Sequence, residues 1–437
     1  MNFLSDIKKI HFVGIGGIGM SAMAKYMRHH GITVTGSDLS ESDITKDLSE
    51  NYDIKVYIGA LPENVTTEHN MIVYSPAVPE ANIERTEGKN LSVPEYSYPE
   101  LLGEISKEKI TIAIAGTNGK TTTTTMVVEI LKHLGIDPTA IIGEYMQKYN
   151  SNFVSGMSEY FVTEACEYKE SFLHIQHDVL LITNITEDHL DYFDDLNHIK
   201  KAFESFLDNK KGEGILVCNT ALPELFNTIE AAHALGMKVI NYAKYLDDQL
   251  VLPIPGEHNR QNAAAALGIV EALDLSIEES RNYLARQFQG AKRRMEHVGM
   301  TNGGAQLFDD YAHNPEGLDY LVKGLREFYP EKQIVMLFEP HLYSRTRDFL
   351  KEFGQSLENV DVLYLFPTYR AREVHIPEED YLLSEHISAE KVELIVVENK
   401  SRFKELFETK GYGVDTVVIT VGAGDIWQQG LEIKKNN

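Results

Sequence analysis

Two glycine clusters, each lying between a β-rich run and a helical pattern, give this 437-residue sequence the residue types that bind phosphates. The first reads Gly14-Ile15-Gly16-Gly17-Ile18-Gly19, and Asp38 follows at roughly the distance expected of a ribose contact in a dinucleotide fold. Glycines let the backbone approach a diphosphate, and the start of the helix supplies N–H groups. Taken alone, this cluster fits a nicotinamide-dependent oxidoreductase, another nucleotide binder or a tight strand-to-helix turn. The second cluster, Gly116-Thr117-Asn118-Gly119-Lys120-Thr121, is more specific. Its backbone N–H groups can cradle phosphates, Lys120 can neutralise the β and γ phosphates, and the hydroxyl of Thr121 or Thr122 can ligate Mg²⁺. The spacing departs from GxxxxGKT, because Ile114 stands where the first glycine belongs. Lys120 is expected on a surface loop, where its loss removes a phosphate-facing charge without harming the fold. Two nucleotide-type loops in one chain fit a plain dehydrogenase poorly.

The elements that must hold these loops are α/β in pattern. Three stretches run from strand through a Gly-containing turn into helix: KKIHFVGIGGIGMSAMAKYMRHHG, KITIAIAGTNGKTTTTTMVVEILKHLG and AQLFDDYAHNPEGLDYLVKGL. After the third, QIVMLFEP, DVLYLFPT, VELIVVEN and DTVVITVG alternate with helical segments, which implies a parallel sheet with right-handed crossovers. The length suggests about two to four domains, and these patterns support three, at residues 1–106, 107–293 and 294–437. Apolar residues at 43% and charged residues at 24% are the balance of a soluble globular protein. The net charge of -25 argues against nucleic acid as a partner, since phosphate backbones are held by clustered Lys and Arg. No window has the apolar length of a membrane span, so no membrane insertion is expected, and the opening MNFLSDIKKIHF lacks a signal-peptide pattern, which makes cytoplasm the expected location. Cys166 and Cys218 form neither a disulfide framework nor a CxxC site.

The ordered set AGTNGKTTT, a Glu-bearing strand, TNITEDHLDYF, PGEHNRQNAAAA and DDYAHNP resembles the Mur ligases and spans nearly the whole chain. The resemblance implies three domains: a Rossmann-like N-terminal domain for a UDP sugar, a central P-loop-type ATPase with a mostly parallel sheet, and a Rossmann-like C-terminal domain for an amino acid. HFVGIGGIGMSAMA, EACEYKESFL, EPHLYSRTRD and GAGDI are similar to the members that join L-alanine to UDP-N-acetylmuramate in peptidoglycan precursor synthesis. The same resemblance implies an ATP-dependent amide-bond ligase that uses Mg²⁺ and an acyl phosphate, as a monomer or weak homodimer. Its rivals are the related ligase that joins a recycled peptide to the same sugar, and a non-catalytic nucleotide-binding scaffold.

Residue by residue, the resemblance implies that Lys120, Glu164 and His189 are catalytic and that Thr121, Glu164 and His189 hold Mg²⁺. ATP then meets Gly116 to Thr122, with His258, Asn259 and Asn262 on the adenine side, Asp310 at the ribose and Arg294 near the domain junction. The UDP sugar meets Gly14, Gly16, Gly17, Gly19, Asp38 and Ser75. Tyr311, His313 and Arg345 take the amino acid, since a guanidinium pairs a carboxylate through two parallel hydrogen bonds. Alternative readings are a core histidine for His189, helix capping for Asn259 and a solvated surface charge for Arg293. Asn118 stands where alanine-adding members usually carry His. Leu342 replaces a second arginine, so Arg345 is expected to hold the carboxylate helped by His313 or by N–H groups of the next helix. The stretch from Cys218 to Pro255 is short, and Glu204 lies near where some relatives carry a carbamylated lysine.

Overall fold

The computed structural model describes residues 3–189, 192–371 and 373–435. Three mostly parallel sheets follow one another along the chain, as the alternation of strand and helix leads one to expect. The first runs Lys55–Ile58, Thr33–Asp38, Lys9–Val13, Met71–Tyr74, Glu95–Ser97 in space, all parallel. The second has seven strands, with Ile110–Ala115 between His177–Ile182 and Tyr160–Glu164, and one antiparallel pair, Thr139–Met146 with Ser151–Val154. The third has six, with Thr416–Val421 between Gln306–Asp310 and Gln333–Phe338, and Glu296–Met300 added antiparallel at one edge. Central strands such as ITIAIA and TVVITV are buried on both faces, which is why they read as continuous apolar runs rather than alternating ones.

The chain forms two compact units: Met1–Val251 with Gln261–Gln289, and Leu252–Arg260 with Gly290–Asn437. The first two sheets thus share one unit, and the reason is visible in the helix Ile18–His29. Its Lys25 is fully buried, donating to Tyr145 Oη at 3.1 Å and Asn152 Oδ1 at 3.0 Å and pairing with Asp47 at 2.7 Å. Tyr26 meets Phe153 edge-on at 6.0 Å. The short stretch after Cys218 provides one further edge strand, Lys238–Asn241.

In each sheet, the strand order reverses beside a glycine at the carboxyl end of a central strand, where loops part and leave a crevice. A Cβ on Gly14 would come within 3.2 Å of Ser75, one on Gly116 within 2.0 Å of Thr183, and one on Gly422 within 2.6 Å of the Glu339 carbonyl oxygen. No helix among the described residues is long and apolar enough to cross a membrane.

Candidate active site

The phosphate loop joins the buried strand Ile110–Ala115 to the helix Lys120–His133. Gly116 (φ +126°) and Gly119 (φ +85°) adopt left-handed backbone that side chains resist, and a Cβ on Gly119 would strike Asn262 Oδ1. The TNIT segment after the strand His177–Ile182 pins the loop: Thr117 N donates to Asn184 O at 3.1 Å, Asn118 N to Asn184 Oδ1 at 3.0 Å, and Thr183 Oγ1 to Asn118 O at 2.7 Å. Lys120 Nζ donates to Gly116 O at 2.5 Å and to Glu167 Oε2 at 2.9 Å. Burial opposes its charge, but the surrounding acidic groups, Glu167 foremost, together outweigh this and hold the ammonium above its usual pKa.

Two carboxylates from the same strand end take different partners. Glu164 accepts from Thr121 Oγ1 at 3.0 Å and from Gly143 N at 2.7 Å. Glu167, three residues on and 2% exposed, faces Lys120 and stands 3.9 Å from His189 Nε2. Left-handed backbone at Lys169 and Glu170 turns the chain just after Glu167, while His189 is itself left-handed and lies against the Tyr168 ring at 4.7 Å. Glu167, Asp188 and His189 together offer ligand atoms within 4.8 Å of one another. Two carboxylates and an imidazole suit a divalent cation, so this donor set fits Mg²⁺, and beside His189 it is Glu167 rather than Glu164 that the fold delivers. The signal for Glu167 was its place in EACEYKESFL, but only the turn after the strand aims it. Glu204 is half-buried on the helix Leu196–Phe206 and is outside this group.

In the first sheet, Gly14 (φ +82°), Gly16 and Gly17 form the turn before the helix, and Ser75 borders Gly14. Asp38 accepts from Gly16 N at 2.8 Å, so its carboxylate braces the loop. Gly19 lets the Tyr98 ring approach, with a Cβ there 2.9 Å from it.

In the second unit, Arg293 is no solvated charge: it pairs with buried Asp309 at 3.2 Å, and both Arg293 and Arg294 place their guanidinium carbons 5.0 Å from the centre of the Tyr311 ring. Asp310 accepts from Met295 N and Ala312 N, each at 2.8 Å, and burial raises its pKa against the pull of Arg294. His313 Nδ1 donates to Tyr311 O at 3.0 Å, and burial, reinforced by Arg345, pushes its pKa down to about 3. It is therefore a neutral imidazole beside a guanidinium. The helix expected to offer N–H groups to the substrate carboxylate is Tyr343–Asp348, but its first donors are taken: Tyr343 N reaches Glu373 Oε2 at 2.5 Å and Ser344 Oγ reaches Glu373 Oε1 at 2.5 Å. Leu342 precedes it in left-handed backbone (φ +70°). In the PGEHN segment, Asn259 Nδ2 donates to Pro255 O, and half-buried His258 lies against Tyr320, its pKa pushed down to about 4 by desolvation. Asn259 and His258 belong to the second unit, whereas Asn262 sits at Gly119 in the first.

Three sheets with a phosphate loop in the second are the build of a Mur ligase, and family models match in that order. The Mur ligase family catalytic domain covers residues 9–110, the Mur ligase middle domain 114–250 and the Mur ligase glutamate ligase domain 293–424. The chain belongs to the Mur ligase family. It is similar to the UDP-N-acetylmuramate–L-alanine ligase of Clostridium kluyveri, at 36% identity over 97% of each chain, and to that of Aquifex aeolicus, at 35% over 96% of each. Among solved structures, the UDP-N-acetylmuramate–alanine ligase of Thermotoga maritima superposes with a TM-score of 0.81 at 26% identity, covering 97% of this chain and 98% of that one. A murein peptide ligase of Psychrobacter arcticus shares the fold at 21% identity, with a TM-score of 0.69 over 98% of this chain and 99% of that one.

Proposed function

We propose that this chain is an ATP-dependent amide-bond ligase that joins L-alanine to the carboxylate of UDP-N-acetylmuramate in peptidoglycan precursor synthesis, acting in the cytoplasm, where ATP and the UDP sugar occur. The observation that carries the reading is the phosphate loop with Lys120 and Thr121 each facing a carboxylate, Glu167 and Glu164, and with Asp188 and His189 beside Glu167. The identities of about 35% with alanine ligases over nearly the full length support the choice of substrates. On this reading the first sheet binds the UDP sugar through Gly14, Gly16, Gly17, Gly19, Asp38 and Ser75. The second binds ATP through Gly116 to Thr122 with Asn262, and the third contributes Asn259, Arg294, Asp310 and the amino-acid residues Tyr311, His313 and Arg345.

A carboxylate does not accept an amine without activation, because oxide cannot leave. The muramate carboxylate therefore attacks the γ-phosphorus: an O–P bond forms, the bond to ADP breaks, and an acyl phosphate results. The amine of alanine then adds to the carbonyl carbon, and the tetrahedral intermediate expels phosphate and loses a proton. Lys120, kept charged by Glu167, meets the phosphoryl oxygens, while the left-handed glycines hold the loop's N–H groups toward them, an electrostatic and positioning task. Mg²⁺, held by Glu167, Asp188 and His189 together with Thr121 and Glu164, would supply Lewis-acid charge at the phosphates. Arg345 orients the carboxylate of alanine, and neutral His313 beside it adds no competing charge.

The test is ADP release. We expect it to require ATP, Mg²⁺, UDP-N-acetylmuramate and L-alanine together. Turnover with a preformed peptide and none with L-alanine would move the assignment to the peptide-recycling ligase, and no turnover with any amine would leave a binding scaffold.

A further inference from the structure

The crevice at the carboxyl end of the third sheet holds charged groups to which the ligation chemistry gives no task. There Phe338 and Val421 end neighbouring parallel strands, and the chain leaves them toward opposite faces of the sheet, one covered by Phe353 and Leu357, the other by Phe403 and Ile426. Glu339, the first residue past its strand, is fully buried. Its Oε1 accepts from Lys400 Nζ at 2.5 Å, and the same ammonium reaches Asp425 Oδ1 at 2.8 Å. Glu339 Oε2 has no hydrogen-bond partner. Gly424 leaves it room, since a Cβ there would stand 2.2 Å from that oxygen and 2.7 Å from the Tyr369 ring. A cavity of about 520 Å³ opens here, lined among others by Glu339, Tyr343, Tyr369, Lys400 and Asp425.

This crevice adjoins the residues assigned to the amino acid. Tyr343 shares a helix with Arg345, and Tyr369 stacks on His341 (5.7 Å, 15° between planes), whose ring lies 6.0 Å from that of His313. A buried carboxylate oxygen with no donor is costly, and a primary ammonium brings three donors. Among the described residues, Glu339 and Asp425 face the single ammonium of Lys400, and the remaining charged lining is Arg370, which is exposed, His375 and Asp380, which Tyr343 Oη and His375 engage.

We propose that this crevice receives the ammonium of the amino-acid substrate on Glu339 Oε2, with Lys400, itself bound by Asp425, holding the Glu339 carboxylate in place through Oε1. The inference rests on the amide-ligase reading and deepens it. Burial, and to a lesser extent Asp425, pushes the Glu339 carboxyl up to about 7 against the opposing Lys400, so an arriving ammonium favours its charged form. The ammonium has two sources, the α-amino group of L-alanine or the side chain of a diamino acid.

The experiment measures ADP release by the full chain with each substrate varied in turn, using L-alanine and L-2,3-diaminopropionate as amines, for wild type and Glu339→Gln. Glutamine keeps the shape and an oxygen for Lys400 but removes the charge. We expect the KM for L-alanine to rise by about tenfold or more while those for ATP and UDP-N-acetylmuramate stay as they are. A rise confined to diaminopropionate assigns the crevice to a second ammonium and still supports it. No change with either amine, or equal rises for all substrates, overturns the inference while wild-type turnover keeps the reading. A wild type that turns over neither amine ends both. Should Glu339→Gln fail to fold, as judged by thermal unfolding, Glu339→Asp, which draws the carboxylate back by one methylene, carries the same test with the same expected rise in the KM for the amine.

Discussion

At the scale of the residue, Lys120 combines two roles that its sequence neighbourhood does not separate. Its ammonium is the charge that the proposed function assigns to phosphates, and in the fold it is the counter-ion of Glu167, which is 2% exposed. The expectation that it can be deleted from a surface loop at no cost to the fold therefore changes, because removing one partner of a buried pair strands the other, at about 3 to 5 kcal/mol where burial is complete. Lys120 is 16% exposed, so the lower end applies. Lys120→Ala should lower ADP release by roughly 10²-fold or more and also lower the unfolding midpoint. Adding Glu167→Gln to it should restore stability but not turnover. A single variant as stable as wild type would show that the ion pair contributes nothing to the fold.

At the scale of the element, the helix Ile18–His29 carries a cation where its pattern calls for an apolar side chain. Lys25 is fully buried among Asp47, Tyr145 and Asn152, with the rings of Tyr52 and Tyr145 at 4.7 and 4.5 Å. It binds the first sheet's helix to the antiparallel pair of the second sheet. Lys25→Ala leaves a cavity and an uncompensated Asp47, so we expect the first unit to lose about 3 kcal/mol, read as a lower denaturant midpoint for the full chain. Lys25→Met, which fills the space but not the charge, should lose less if Asp47 can turn toward water, being already 20% exposed. Equal losses would mean that the charge matters and the volume does not.

At the scale of the whole molecule, buried and half-buried histidines set the acid side of stability. Burial pushes His69, His177 and His258 down to about 4 and His313 to about 3, from an ordinary 6.5. An unfolded chain binds protons at these sites below 6.5 while the folded chain does not, so stability is complete above 6.5 and declines as pH falls toward 4. Asp309, raised to about 6, and Glu339, raised to about 7, act in the opposite sense between those values and their ordinary 3.8 and 4.5. His30 is also lowered and Asp310 also raised, so five histidines against three carboxyls predict a thermal midpoint that drops between pH 6.5 and 4.5. His177 is buried against Phe206, its Nε2 3.1 Å from the Phe206 carbonyl. His177→Gln keeps a donor for that carbonyl without titrating, and should make the pH slope shallower. An unchanged slope would locate the acid sensitivity elsewhere.

What could be read without the fold was what is contiguous: strand, glycine turn and helix occur in one stretch, so the phosphate loop and the mostly parallel three-sheet α/β build were legible in the residues alone. Glu164 and Glu167 show where that ends. Both stand in the motif VTEACEYKE, and only the turn after the strand, made by left-handed Lys169 and Glu170, decides that Glu167 meets Lys120 and His189 while Glu164 goes to Thr121. The same holds for Glu373, which occupies the helix start expected to be open to a substrate carboxylate, and for Arg293, which reads as a solvated charge until Asp309 is folded against it. The two compact units were also invisible to motif order, because they depend on Lys25 and its partners, which are more than 100 residues apart in part. Local pattern specifies elements because a helix or strand is decided by its own residues. Which carboxylate faces which cation is decided by turns and long-range packing, and only the tertiary structure brings those together.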